Sequence, residues 1–259
     1  GLVSAGWPLP ASVGACVSTR SGGVSRGAFG LAGGGEGGLN LGLRCGDRIE
    51  DVEVNRRRLA AQLPGAPVWL QQVHGSDVFR VTEGWSAEGA RDIEPVADAA
   101  VTCRPNHVLA VLSADCLPVL ISDVTGTRVG AAHAGWRGLA GGVIEATVEA
   151  IRGLPGVSDD LVAWLGPAIG PGAYEVGDDV LDSCLLGDPG CSDCFVAGAQ
   201  PGKWFADLFE LARRRLARLG IERVGGGGQC TVSLEAQYFS HRRDRITGRQ
   251  AALIWIKGR

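Results

Sequence analysis

The stretch 108–133, VLAVLSADCLPVLISDVTGTRVGAAH, holds runs of aliphatic and β-branched residues at 108–113, 117–122 and 127–133, separated by turn signals. Each run is too short for a helix, and a similar run at 96–103 precedes them, so together they predict a sheet core. Working outward, 13–19, 67–70, 77–82, 161–165 and 251–257 also read as strands. Apolar residues at helical spacing predict helices over 49–63, with Asp47 as its cap, and over 142–152. Two more helices are expected at about 178–186 and at 205–219, the latter stopped by Gly220. Residues 20–42 are glycine-rich and loop-like, and connections of that length often carry function. Strands and helices alternate, but neighbouring strand pairs occur too. That favours an α/β fold with a mixed sheet over a doubly wound parallel one.

The 259 residues make one large domain or two small ones, and either can bury a substantial core. Net charge is −3 and no large block of Lys/Arg occurs, so no nucleic-acid partner is expected. The longest apolar stretch, 108–121, is interrupted by Asp115 and is too short for a bilayer, so no membrane partner is expected either. No basic segment followed by an apolar one opens the sequence, and a cytoplasmic location is the expectation. In such a compartment the eight cysteines stay mostly reduced, as core residues, metal ligands or nucleophiles. Nothing in the sequence specifies an oligomeric state.

Three residues carry candidate chemistry. His74 lies in Gln71-Gln72-Val73-His74-Gly75, read as the end of an apolar strand, with a glycine that permits close approach. Cys116 follows Asp115, a charge that is costly inside a buried segment unless paired. His133 follows a strand and precedes small residues, with Arg137 four positions on. Each alone has an ordinary reading: a hydrogen-bonded histidine, or a thiol acting as a small hydrophobe. Together, two imidazoles and one thiolate make a three-ligand zinc set that leaves a fourth position open. The spacing matches no short zinc-finger pattern, so both readings stand at this point. Cys191-Ser192-Asp193-Cys194 is an isolated CxxC and reads as a loop with incidental cysteines.

The segments QQVHGSDV, SADCLPVLI, AAHAGWRG, GPAIGPGAYEVG and FSHRRDRITGRQAALIW, with STRSGGVS and GLNLGLRCGD, span nearly the whole chain. In that order they resemble the polyphenol-oxidase (laccase-domain) family, also called the YfiH family. The resemblance implies a single catalytic domain over 1–259, a layered α/β/α sandwich with mixed β-sheets, similar to the catalytic domain of the cytotoxic necrotizing factor toxins. It implies zinc on His74, Cys116 and His133, the same residues serving catalysis. It also implies phosphorolysis of adenosine, inosine and methylthioadenosine, with adenosine deamination as a side reaction. Nucleoside and phosphate would be the small-molecule partners. Arg20 beside Ser21-Gly22-Gly23, together with Arg137, is a candidate for phosphate or ribose contacts, since a guanidinium matches phosphate geometry. Arg242 and Arg243 are further candidates, with salt bridges as the plainer role. Asn40 either orients substrate or caps a turn.

The sequence departs from the family pattern at His241, where members often carry Tyr, and at Ala173, where they often carry Cys. The second change weakens a multicopper reading. Two other reaction classes remain. In one, Cys116 and His133 form a cysteine hydrolase or amidase, including peptidoglycan-precursor editing. The other is copper-dependent phenol oxidation.

Overall fold

A computed structural model describes residues 1–6, 9–82 and 94–258 of the chain. Its strands begin with β1 (Leu2–Ser4), β2 (Val13–Ser18), β3 (Ser21–Ser25), β4 (Pro67–Val68) and β5 (Val78–Arg80). Next come β6 (Ala99–Thr102), β7 (Val108–Ser113), β8 (Leu117–Asp123), β9 (Val129–Ala134) and β10 (Leu161–Leu165). The last are β11 (Glu175–Gly177), β12 (Phe195–Ala197), β13 (Lys203–Ala206), β14 (Val224–Gly226) and β15 (Gln250–Ile256). The α-helices are α1 (Ile49–Ala60), α2 (Trp136–Ala140), α3 (Val143–Arg152), α4 (Asp178–Gly187), α5 (Leu208–Arg218) and α6 (His241–Asp244).

Two large sheets dominate, with strand orders β1-β2-β15-β7-β4 and β14-β10-β8-β9-β6-β5, beside a small β11-β13-β12 sheet. Both large sheets are mixed: β4 pairs parallel with β7 while β15 pairs antiparallel with it. In the other, β5–β6 and β10–β14 are parallel and the central pairs antiparallel. Successive side chains on a strand point to opposite faces, so nearly continuous apolar strands feed two cores at once. Val17, Leu109, Leu120, Val129, Ala252 and Ile254 meet between the two sheets. Ile121 and Ala132, one step along their strands, face the helical layer with Ile144, Val148 and Leu216. Val108, Ala110 and Leu253 face outward from the five-stranded sheet and pack with Leu59 of α1. Helices therefore lie outside and mixed sheets inside, as expected, with the sheet layer doubled.

Three local expectations are corrected. Residues 20–42 are not all loop, since Ser21–Ser25 forms β3. Asn55 of α1 anchors β3: its Oδ1 accepts from the Val24 N–H at 2.8 Å, and its Nδ2 donates to the Asn40 carbonyl at 2.9 Å. The approach is so close that a Cβ on Gly23 would lie 2.1 Å from the Gly38 carbonyl oxygen. Asp47 does not cap α1, because Arg48 holds that position and no side chain bonds there. The Asp47 carboxylate instead accepts from Ser25 Oγ at 2.6 Å and Asn40 Nδ2 at 2.9 Å. The helix expected at 205–219 begins only at Leu208. The preceding residues are taken by β13, and Asp207 caps the helix through the N–H groups of Phe209 and Glu210. Among the described residues no helix is long and apolar enough to cross a membrane.

The doubled sheet core sets the stability. Leu120 is fully buried within it, so Leu120→Ala should cost about 2–5 kcal/mol. Leu186 on α4 is 89% exposed, and Leu186→Ala should change stability by under about 0.5 kcal/mol. Urea denaturation of the two variants checks the contrast; equal effects would contradict this assignment of the core.

Candidate metal centre

The centre forms at one end of the space between the sheets. Val129 and Ala131 of β9 face the inter-sheet core, and the two-residue period carries His133 to the same face near the end of the strand. His133 is 4% exposed. Cys116 stands in the tight link between β7 and β8, where Asp115 takes a φ of 95°. A non-glycine residue at positive φ is strained unless its surroundings hold it. Here they do: the Asp115 carboxylate accepts from Thr231 Oγ1 and from the Arg242 N–H, both at 2.6 Å. Its carbonyl accepts from the Ile169 N–H at 2.9 Å. The charge that is costly in this apolar segment is thus paired, and its pairing fixes the backbone beside Cys116.

His74 lies in a turn with φ of 62° and not at a strand end as expected. What holds this turn is Asp98, immediately before β6. Its carboxylate accepts from three successive N–H groups, Val73 at 3.0 Å, His74 at 2.9 Å and Gly75 at 2.7 Å. The same carboxylate accepts from His133 Nδ1 at 2.9 Å, and the His133 N–H donates to the Asp98 carbonyl at 2.8 Å. One fully buried acid therefore orients both histidines.

The three side chains expected to meet do meet. His74 Nε2 lies 3.8 Å from Cys116 Sγ, and the two imidazole centroids are 4.8 Å apart. One donor atom from each of the three residues falls within 4.8 Å of the others, a group that could hold a metal ion. The residues fit such an ion chemically: Asp98 occupies His133 Nδ1 and leaves Nε2 to coordinate, the usual outer support of a metal-binding histidine. Gly135 closes the back of the site. A Cβ there would lie 2.8 Å from Cys116 Sγ and 3.4 Å from His74 Cδ2.

The electrostatics match. Burial pushes the Asp98 carboxyl up, but the bonds from His133, Gly75 and Val73 outweigh it and leave the group below its ordinary range. Burial also raises the Cys116 thiol, and the His133 and His74 imidazoles overcome this, bringing it to about 6. His133 would be lowered by burial, yet Cys116 and Asp98 raise it to about 9. Without metal, these opposed shifts favour a thiolate beside an imidazolium at neutral pH.

A cavity of about 510 Å³ opens onto this centre. Leu43, Leu70 and Leu112 give it an apolar wall, and Arg44, Arg56, Arg137 and Arg249 supply cations. Glu94 pairs with Arg44 and with Arg56. Arg137 is exposed and lies 4.3 Å over the Trp136 ring. Of the arginines and the asparagine singled out from sequence, only Arg137 is on the lining. Arg20 is 4% exposed, donates to the Gly30 carbonyl at 2.8 Å and sits 5.0 Å over Phe239. Asn40 ties a turn: its Oδ1 accepts from the Gly42 N–H at 3.0 Å and the Arg249 N–H at 2.8 Å. Arg243 bonds the carbonyls of Thr231, Val232 and Tyr238, and Arg242 bonds that of Glu175. The sequence reading missed Asp98, Arg44, Arg56 and Arg249. Asp98 carried the same signal as Asp115, a lone acid inside an apolar run.

Fold and site together define a class: a mixed α/β protein whose His/Cys/His centre faces a cavity sized for a small molecule. The chain belongs to the family described as multi-copper polyphenol oxidoreductase laccase, whose model matches residues 14–257. It is 46% identical over 257 residues to the purine nucleoside phosphorylase YfiH of Escherichia coli, covering 98% of each chain. A purine nucleoside phosphorylase of Pseudomonas aeruginosa is 47% identical over 251 residues, 97% of this chain and 96% of that one. Among solved structures, YlmD from Geobacillus stearothermophilus matches with a TM-score of 0.88 at 37% identity, covering 100% of this chain and 97% of that one. The Neisseria meningitidis protein NMB0706 gives 0.87 at 44%, covering 99% of each.

Two outcomes follow from the geometry. An amide at position 98 keeps only one acceptor oxygen for the donors that converge there. Asp98→Asn should weaken the binding of an added divalent ion by about 10–100-fold, as measured with zinc in competition with a chromogenic chelator. Unchanged affinity would remove Asp98 from the centre. Metal-free protein should alkylate with iodoacetamide at Cys116 at nearly constant rate from pH 8 downward. The rate should fall only as pH drops through about 6, where the thiolate gains its proton. Peptide mass spectrometry at graded pH reads this, and a rate already falling below pH 8 would contradict the paired state.

Proposed function

We propose that the chain is a zinc-dependent purine nucleoside phosphorylase acting on adenosine, inosine and methylthioadenosine, with adenosine deamination as a side activity of the same site. The observation that carries this reading is one cavity joining a His/Cys/His centre, an apolar wall and an arginine cluster. The names of the relatives support an enzyme of this kind. Phosphorolysis needs an anion site beside a nucleoside site. Arg137 and Arg249 offer charge for phosphate, while Leu43, Leu70 and Leu112 offer a dry surface to the purine. His74, Cys116 and His133 would hold the zinc, with Asp98 fixing His133. Zinc bound there supplies a Lewis acid at the floor of the cavity. The whole chain acts as one catalytic domain, and a cytoplasmic location fits a nucleoside substrate.

A copper-dependent phenol oxidase is disfavoured by donor count. The whole sequence has four histidines and no methionine, and the described residues hold one three-donor group. A second reading does have an observation in its favour: Asp98, His133 and Cys116 stand in the order of a Cys–His–Asp triad, with the thiol near 6. That arrangement suits a cysteine hydrolase or amidase, including one that edits peptidoglycan precursors.

Metal analysis, paired with product identification, separates the two. Purified protein should carry about one zinc per chain and release adenine from adenosine only with phosphate, leaving ribose 1-phosphate. A chelator should abolish turnover, and Cys116→Ala should lose both metal and activity, by about a thousandfold or more. Turnover that survives complete metal removal would favour the triad; no base or inosine released under any condition would reject the nucleoside reading.

A further inference from the structure

His241 opens α6 and lines the same cavity as the metal centre, with its side chain exposed. Its donor atoms lie outside the three-residue group around Cys116, and among the described residues no hydrogen bond engages its ring. Its backbone, by contrast, is held firmly. Ser240 Oγ accepts from the Arg243 N–H at 3.2 Å, and the neighbouring Arg242 N–H donates to Asp115 at 2.6 Å. Arg242 also donates to the Glu175 carbonyl at 3.0 Å and lies 5.3 Å over Tyr174. A fixed backbone thus presents a free imidazole to the cavity, tied through Asp115 to the segment that bears Cys116.

Departure of a purine leaves negative charge on its imidazole ring, and a proton delivered to N7 removes it. Such a donor must exchange protons near neutral pH, and histidine is the side chain suited to that. Ser113 also lines the wall with an unpartnered hydroxyl, but a serine does not exchange its proton near neutral pH, and the groups that could are committed. His74, Cys116 and His133 form the centre, the arginines keep their protons, and the Cys45 thiol donates to the Gly42 carbonyl at 3.0 Å. No carboxyl group lines the cavity among the described residues.

We infer that His241 is the general acid of the reaction, giving its proton to N7 of the departing purine. This rests on the phosphorolysis reading above. A phosphate oxygen bonds to C1′ as the C1′–N9 bond breaks, and that electron pair passes into the purine ring. The His241 proton goes to N7, and the free base leaves neutral. The sugar phosphate then sheds its remaining proton to water, from which His241 is recharged.

The test is a leaving-group series: adenosine, inosine, 6-chloropurine riboside and 7-methylinosine, whose methylated ring needs no proton to depart. With wild type and His241→Ala, the expected loss in kcat/KM is on the order of 100-fold for adenosine and inosine, shrinking along the series to under about threefold for 7-methylinosine. His241→Gln should follow the same gradient, with zinc content and melting temperature matching wild type in both variants. An equal loss across all four nucleosides, or no loss on adenosine, overturns the inference. Wild type that releases base from none of them fails the phosphorylase reading itself, a result distinct from any change of slope.

Discussion

The carboxylate of Asp98 joins the two segments that carry the histidines and sets how they face each other. On one side it takes three consecutive N–H groups of the 73–75 turn, and on the other the Nδ1 proton of His133. A buried carboxylate is costly to desolvate and stays charged only with this many donors around it. The bonds that make the charge tolerable are also the ones that place the two imidazoles. Asp115 repeats the device on the other flank, where Thr231 and the Arg242 N–H hold a strained turn and so aim Cys116. Both acids stand in apolar segments of the two-sheet core, and the site is built where the chain has put charge in otherwise oily surroundings.

The fold was legible because its signal is periodic. Short β-branched runs between turn residues gave the central strands to within three residues, and 161–165 coincides with β10. What escaped was set by partners far away in sequence. Residues 21–25 look like loop because SGGVS has few side chains to read; they become β3 through Asn55 on α1. Residues 205–206 continue the apparent helix in composition, yet they belong to β13, which pairs between two neighbouring strands. Asp47 has the chemistry of a cap, but Ser25 and Asn40 compete for its carboxylate and win.

The site divides along the same line. His74, Cys116 and His133 stood out by residue type and by the motifs around them, and the three donors do converge. The arginines were harder, because a guanidinium is recognised by its neighbours and a sequence does not show them. Arg20, beside a glycine pair, has the local look of a phosphate binder, but its Nε bonds to Gly30 and its plane lies over Phe239. Arg56 sits in a basic triplet that suggests a solvated helix face, yet it reaches the cavity wall and stacks 4.2 Å from the Trp69 ring centre.

His74 and Cys116 are 42 residues apart, whereas Cys116 and His133 flank one end of the antiparallel β8–β9 pair, where Leu117 lies opposite Ala134. That strand pair brings two of the donors together, and the third needs the 73–75 turn held by Asp98. An ion that needs all three donors would therefore favour the folded form, and its occupancy would add to stability with the logarithm of free ion concentration. Occupancy would thus gauge assembly, since an ion held by all three donors would mark a chain whose 73–75 turn has closed on the β8–β9 end.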